Sequence, residues 1–275
     1  MTNAHSYPVE LRPGTPEMTA FESELTAVLG LSNGEVTHAA LDAFLNRYFG
    51  RDRAASLRSM IAADMDFFRE EDPASAGYSD VQILSVRRGM AAIAAHRIFQ
   101  TLLDAWPDLL YSIEVMAKYV QKNTNVEIHP GARIAVPFGI DHGHGTVIGA
   151  TSEVGPHTFI YHGVTLGATG RRSRTGRRHP IVGGRVFFGN GSQVLGPSIL
   201  EDKVAIASGA IVADSYVEEG VKISLNVRVV RAVIPRKAHI FGYDQENPRR
   251  YWAQLDGTKA PNWAEFERFD VKSMD

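Results

Sequence analysis

Over the first 125 positions the apolar residues recur at three- and four-residue spacing, the pattern of helices that each bury one stripe. Thr15-Pro16-Glu17 reads as an N-cap followed by proline at the first helical position, and the helix it opens is predicted to run to about Gly30. A second helix is predicted from Glu35 to Phe49, closed by Gly50. A third, rich in Met and Phe, stops before Asp72-Pro73, because the residue ahead of a proline is pushed out of the helical region. Segments around 79–105 and 108–122 complete a helical domain whose Met and aromatic positions read as packing.

From Val126 the helical period gives way to a six-residue one. An aliphatic or aromatic residue leads each unit at Ile128, Ile134, Ile140, Ile148, Val154, Ile160 and Leu166, then at Val182, Phe188, Val194, Leu200, Ile206 and Val212, with Val221, Val227 and Val233 as the expected continuation. Small or aliphatic residues recur four positions later, at Ala132, Thr158, Val164, Ser192, Ser198, Val204 and Ala210. This is the hexapeptide pattern of a parallel β-helix, in which each hexapeptide forms one side of a triangular coil and its leading side chain fills the interior. The chain thus reads as α+β: a helical domain over 1–125, a β-helix over 126–235 and a tail over 236–275.

Two interruptions fall among polar residues. The step from Ile140 to Ile148 is eight, inserting two residues around Asp141-His142-Gly143-His144, and the step from Leu166 to Val182 is sixteen, expelling about ten residues near 168–178. That loop carries Arg171, Arg172, Arg174, Arg177 and Arg178, and reads either as solvated surface or as a lid with charge for a phosphorylated ligand. Counting from the leader of each third side puts His142, His162, Asn190 and Ser208 in one column, roughly 14 Å long at the spacing of neighbouring strands. Glu127 falls on the same side one coil above His142, where a carboxylate suits an imidazole acting as a general base. His129 and His144 read as structural.

Composition narrows the chemistry. No cysteine occurs among the 275 residues, which excludes thiolate nucleophiles, disulfides, iron–sulfur clusters and sulfur-ligated zinc, so a metal would rest on His, Asp or Glu. A net charge of −2 gives no general pull toward nucleic acid or an anionic membrane. The start, MTNAHSYPVELRPG, lacks the basic and apolar stretches of a signal peptide, and no apolar run is long enough to span a bilayer, so a cytoplasmic location is expected. Six of the ten histidines lie between 129 and 179, and His157 with His162 could supply two metal ligands.

The runs VEIHPGARI, GIDHGHGTVIGATSEVG, YHGVTLGATG, RRHP and GNGSQVLG resemble the bacterial and plant serine O-acetyltransferases, left-handed β-helix enzymes that use acetyl-CoA. The similarity extends to EEDPAS at 70–75 and along 79–124, covering roughly 60–235. Hexapeptides alone implicate only acyl- or nucleotidyl-transferases and γ-class carbonic anhydrases, whereas DHG, VTLG and RHP in this order are specific. The resemblance implies His142 as general base toward the serine hydroxyl and Glu127 as its carboxylate partner. It further implies Asp72 and Asp141 at the amino group of the acceptor, and Arg178 with His179 at its carboxylate. Gly189, Asn190, Gly191, Ser208, His162 and Thr169 are implied at the CoA arm, with no metal. A homotrimer, itself able to pair into a hexamer, is implied as the assembly. The alternatives are a CoA-dependent acyltransferase on another amino acid such as homoserine, and a carbonic-anhydrase-like metal lyase using His157, His162 and a third histidine.

Four departures stand out. The loop after GATG is two residues longer and richer in arginine than the common form, and Ala150 replaces the Glu of a usual GET triplet. A GVPAR-like segment gives way to IPRKAHIFGYDQENPRRYW, and the last residue is Asp275 rather than the isoleucine that docks into cysteine synthase, so a stable complex with that synthase is not expected. The aromatic residues Tyr251, Trp252, Trp263, Phe266 and Phe269 are instead expected to fold the tail back onto its own assembly.

Overall fold

The computed structural model describes residues 7–31, 36–170, 177–243, 250–254 and 268–270. The first helix, α1 (Pro16–Val28), begins as the sequence requires, with the Thr15 hydroxyl accepting the Met18 amide at 3.3 Å and proline in the first turn. α2 (His38–Glu71) is interrupted at Gly50, whose φ of 72° and ψ of 169° no helix accommodates, so the predicted stop separates two helical stretches. The predicted start at Glu35 lies outside the described residues. Asp72 ends the second stretch and caps the short turn Pro73–Ser75 by accepting the Ala74 amide. The segment predicted over 79–105 is two helices, α3 (Asp80–Val86) and α4 (Arg88–Ala105), divided at Arg87, which is extended at φ −104° and ψ 91°. α5 (Leu110–Thr124) closes on Asn125 in the left-handed conformation, and the short strand Val126–Ile128 follows.

The chain divides into two units, Met1–Pro130 and Gly131–Asp275. In the first, the aromatic residues pack as read: Phe21, Phe44 and Tyr48 are buried with ring centroids 4.9 to 5.3 Å apart. α4 is buried along most of its first three turns. It carries Arg97, whose Nε and Nη2 reach Oδ2 and Oδ1 of Asp64 on α2 at 2.9 and 3.0 Å, with both side chains out of water. The two-pronged geometry matches a planar guanidinium to a carboxylate. Nothing in the sequence pattern announced this pair.

The second unit is a left-handed β-helix of three parallel faces. One face stacks Thr146–Ile148, Thr165–Gly167, Gln193–Leu195, Ile211–Ala213 and Arg228–Val230. The second stacks Arg133–Ile134, Glu153–Val154, Ile181–Val182, Ile199–Leu200, Tyr216–Val217 and Val233–Ile234. The third stacks Phe138–Ile140, Thr158–Ile160, Phe187–Phe188, Ala205–Ile206, Lys222–Ile223 and His239–Tyr243. Every predicted leader from Ile128 to Val212 is at most 7% exposed, and the small residues four positions later are buried with them.

Beyond Val212 the prediction needs correction. The residues paired with Leu200, Ile206 and Val212 are Val217, Ile223 and Val229, and the next coil pairs Ile234 with Val217 and Ile240 with Ile223. Val221 and Val227 are therefore corner residues four past a leader, not leaders, and Val233 precedes the true one. The cause is a corner one residue shorter. Buried Ser198, four after Val194, donates to the carbonyl of Leu195 and accepts the amide of Ser215, which lies only three after Val212. Ser215 in turn accepts the amide of Ala232, so a ladder of buried hydroxyls ties these corners together. The β-helix also continues past the predicted limit of 235, into His239–Tyr243. Against that last strand Arg250–Gln254 pairs antiparallel, followed by Arg268–Asp270. Tyr251, Trp252 and Phe269 of the tail thus belong to strands added to the third face, while Trp263, Phe266 and Asp275 lie outside the described residues.

Because the carboxylate of Asp64 is the counter-charge of a fully buried guanidinium, Asp64→Asn is expected to destabilise the helical unit by about 3–5 kcal/mol. Replacing both partners together, as Asp64→Leu with Arg97→Met, is expected to cost much less. Urea unfolding followed by helical circular dichroism distinguishes the two, and an unchanged midpoint for Asp64→Asn alone would count against the pair as a stability element.

Candidate active site

The insertion near residue 140 can be located to the residue. Asp141 still follows the ladder, its amide donating to the carbonyl of Ile160, as Tyr161 does to Phe188 and Gly189 to Ile206 one and two coils on. The ladder resumes at His144, whose carbonyl accepts the Gly163 amide just as His162 accepts that of Gly191 and Asn190 that of Gly209. His142 and Gly143 are therefore the two extra residues. Both have positive φ, 58° and 83°, and the Gly143 amide turns back to the carbonyl of Asp141 at 2.7 Å. A bulge of this kind lifts its residue out of the repeating coil, and the His142 side chain is 58% exposed.

This corrects the column. The member in register with His162, Asn190 and Ser208 is His144, read from the sequence as merely structural. Its ring stacks on His162 at 4.3 Å and 19°, while His142 meets the same ring edge-on at 5.7 Å. Further along, the Ser208 hydroxyl donates to Asn190 Oδ1 at 2.6 Å. Counting forward from Ile140 could not reveal on which side of the insertion the register was regained.

Asp141 faces His142. Its Oδ1 accepts the His142 amide at 2.8 Å and its Oδ2 lies 3.5 Å from His142 Nε2, with the carboxylate only 13% exposed. The His162 imidazole is held below the ordinary histidine value, first by burial and then by the like charges of His144 and His142, with Asp141 opposing. Its Nδ1 is enclosed and has no hydrogen-bond partner in the structure.

The second interruption brings Arg178 and His179 to the corner that follows Ile148. Thr151 is the anchor there: its hydroxyl lies 2.9 Å from His179 Nδ1 and accepts the amides of Arg178 and His179 at 3.3 and 3.2 Å, and its own amide donates to His179 Nδ1 at 3.2 Å. Arg177 donates to the Thr151 carbonyl at 2.8 Å and pairs with Glu153, so it is tethered to the coil, whereas Arg178 is exposed. The imidazole of His179 occupies the space a side chain on residue 149 would need, since a Cβ at Gly149 would fall 2.1 Å from His179 Cδ2. Thr151, Glu153 and Arg177 lie within the runs GIDHGHGTVIGATSEVG and RRHP, but sequence reasoning gave Thr151 and Glu153 no role and did not foresee the tether at Arg177. Arg171, Arg172 and Arg174 lie outside the described residues.

The glycines assigned to the CoA arm have distinct local reasons. A Cβ on Gly189 would lie 2.4 Å from the Ser208 amide of the next coil, while Gly191 faces open space with φ of 67°. Thr169 rests beside Gly196, its Cγ2 3.2 Å from where a Cβ would be. Two further residues singled out from the sequence lie in the first unit. Glu127 is bound by Lys118 Nζ at 2.8 Å and Gln121 Nε2 at 2.7 Å, and Asp72 by Ser75 Oγ at 2.6 Å and Arg87 Nη2 at 3.1 Å. Among the described residues no group of three or more His, Asp or Glu is placed to hold a metal ion, His157 and His162 included.

No protein-family model matches the chain. A serine acetyltransferase of Mycobacterium tuberculosis is 36% identical over 193 residues, 70% of this chain and 81% of that protein. The structure of a soybean serine acetyltransferase complexed with serine superposes with a TM-score of 0.54 at 29% identity, covering 83% of each chain. A serine acetyltransferase in complex with CoA superposes with a TM-score of 0.55 at 26% identity, covering 80% of each.

The stacked histidines give a titration to measure. Because the folded state holds the proton on His162 less readily than the unfolded chain does, this ring's contribution to stability is fully present above about pH 6.5 and is lost as pH falls from there through the depressed folded value. In NMR titration His162 is expected to titrate below the ordinary histidine range, and His144→Ala is expected to move its midpoint upward by removing one like charge. A midpoint that stays put in the variant would show that the stack does not set it.

Proposed function

The chain belongs to the serine acetyltransferase family, and from that premise we propose how its residues carry out the transfer of an acetyl group from acetyl-CoA to the hydroxyl of L-serine. The single observation that carries the assignment is the bulge at His142. It presents an imidazole outside the coil with a shielded carboxylate, Asp141, beside it.

A serine hydroxyl is a weak nucleophile at neutral pH and needs a positioned base. His142 takes its proton as the oxygen attacks the thioester carbonyl. The tetrahedral intermediate then collapses, breaking the carbon–sulfur bond, and the proton held by His142 passes to the departing sulfur, giving O-acetylserine and CoA. Asp141 stabilises the imidazolium between these steps and, with Asp72, attracts the ammonium group of the acceptor. Arg178 and His179 meet its carboxylate. Glu127 is assigned a carboxylate role toward His142 on the resemblance alone. Asn190, Ser208, Gly189, Gly191, His162 and Thr169 are assigned to acetyl-CoA, and the arginine-rich loop to its phosphates.

The likeness to structures holding serine and CoA supports both substrates. Assembly into a trimer, and of trimers through the helical unit, is supported by exposed apolar side chains: Leu110, Tyr111, Val115 and Tyr119 on α5, and Phe187, Leu225 and Val230 on the β-helix. Among the described residues no helix is long and apolar enough to cross a membrane. A cytoplasmic location is the reading that the sequence supports.

His142→Ala is expected to lower turnover at least about 100-fold in a thiol-release assay with little effect on folding. Turnover within a fewfold of the parent would remove His142 from the role of base. In the same assay L-serine is expected to be the preferred acceptor, and brisk release with homoserine but none with serine would overturn the substrate. Light scattering is expected to give a mass that is a multiple of three chains. A monomer at micromolar concentration would rule out the trimer.

A further inference from the structure

Thr151 sits at the corner between two faces of the β-helix, three residues after the buried leader Ile148 and one before buried Ser152. Of its neighbours, Gly149 and Ala150 have no side-chain hydrogen-bonding group. Every polar atom of Thr151 is turned toward the returning loop. A backbone amide can only donate, so the contact from Thr151 N makes His179 Nδ1 an acceptor. The Thr151 hydroxyl accepts two backbone amides, Arg178 N and His179 N, which leaves its own hydrogen for the same Nδ1 at 2.9 Å. With two donors aimed at it, Nδ1 carries no proton, and the ring is neutral with its proton on Nε2. The Thr151 carbonyl meanwhile receives Arg177.

We propose that Thr151 is the positioning residue of the acceptor clamp: one side chain fixes the tautomer of His179, the orientation of its ring and the backbone that carries Arg178. The proposal deepens the reading above and rests on it, because it takes Arg178 and His179 to face the carboxylate of serine. The clamp then offers that carboxylate one permanent charge, from Arg178, and one neutral N–H donor, from His179 Nε2. The seat is made by the sequence around it. Gly149 leaves room for the ring, and the pairing of Arg177 with Glu153 holds the end of the loop while the hydroxyl sets its last two residues.

The test compares Thr151→Val, which keeps the shape and loses the hydroxyl, with Thr151→Ser, which keeps the hydroxyl. Thr151→Val is expected to raise the KM for L-serine about tenfold or more while the KM for acetyl-CoA stays within about twofold, and Thr151→Ser is expected to stay near the parent. In ¹⁵N-histidine NMR, with His179 assigned by its loss in His179→Asn, the parent is expected to show the Nε2–H tautomer and Thr151→Val a mixture. An unchanged KM for serine in Thr151→Val, an equal rise of both constants, or an Nδ1–H tautomer in the parent would each overturn the proposal. If the parent does not acetylate serine, the functional reading fails while the tautomer measurement still decides the role of Thr151.

Discussion

The fixed width of the β-helix interior governs where chemistry can occur in this chain. Each face of each coil sends one aliphatic or aromatic side chain inward, and the residues above and below are locked by the parallel ladder at a spacing that leaves no room for extra backbone. Phe188 between Ile160 and Ile206 shows that the interior tolerates a change of size but not of register. Any added residue must therefore leave at a corner and point outward. His142 and Gly143 do so as a two-residue bulge, and the sequence between the leaders Leu166 and Val182 is ten residues longer than one repeat. The residues proposed as base and acceptor clamp, His142, Arg178 and His179, sit at or beside these departures, whereas His162, Asn190 and Ser208 stay on the regular coil.

The same constraint explains what the sequence disclosed. Leaders from Ile134 to Val212 and the small corner residues were legible because each must be buried, and a missing hydrophobe in so narrow a core would be felt at once. The shortened corner at Asp214-Ser215 was not legible, since Val221 and Val227 are also apolar and also buried, in a different position of the repeat. Register around the bulge was hidden for a related reason: a step of eight states that two residues are extra without saying which two. Only the ladder, regained at His144, resolves it. Thr151 and the Asp64–Arg97 pair were beyond reach because their roles arise from hydrogen bonds between segments distant in sequence, which no periodicity encodes.

Charge around the site is arranged sparingly. Three imidazoles, His142, His144 and His162, lie together with one carboxylate, Asp141, so one positive charge is well compensated and further charges repel it. Burial and its two neighbours hold the His162 imidazole below the ordinary histidine value. His142 is exposed and lies beside Asp141, whose Oδ1 accepts its amide.

The antiparallel strands after Tyr243 bear on a hazard inherent in solenoids. A stack of parallel coils ends in an edge of unpaired amides and carbonyls, a template on which another chain could continue the stack and grow into a fibre. On the third face, Arg250–Gln254 reverses direction against His239–Tyr243, and Arg268–Asp270 reverses it again. The outer edge of the last parallel strand, His239–Tyr243, is thereby paired. Truncation ahead of Arg250 would leave the edge of that last coil unpaired, the exposure that favours edge-to-edge association.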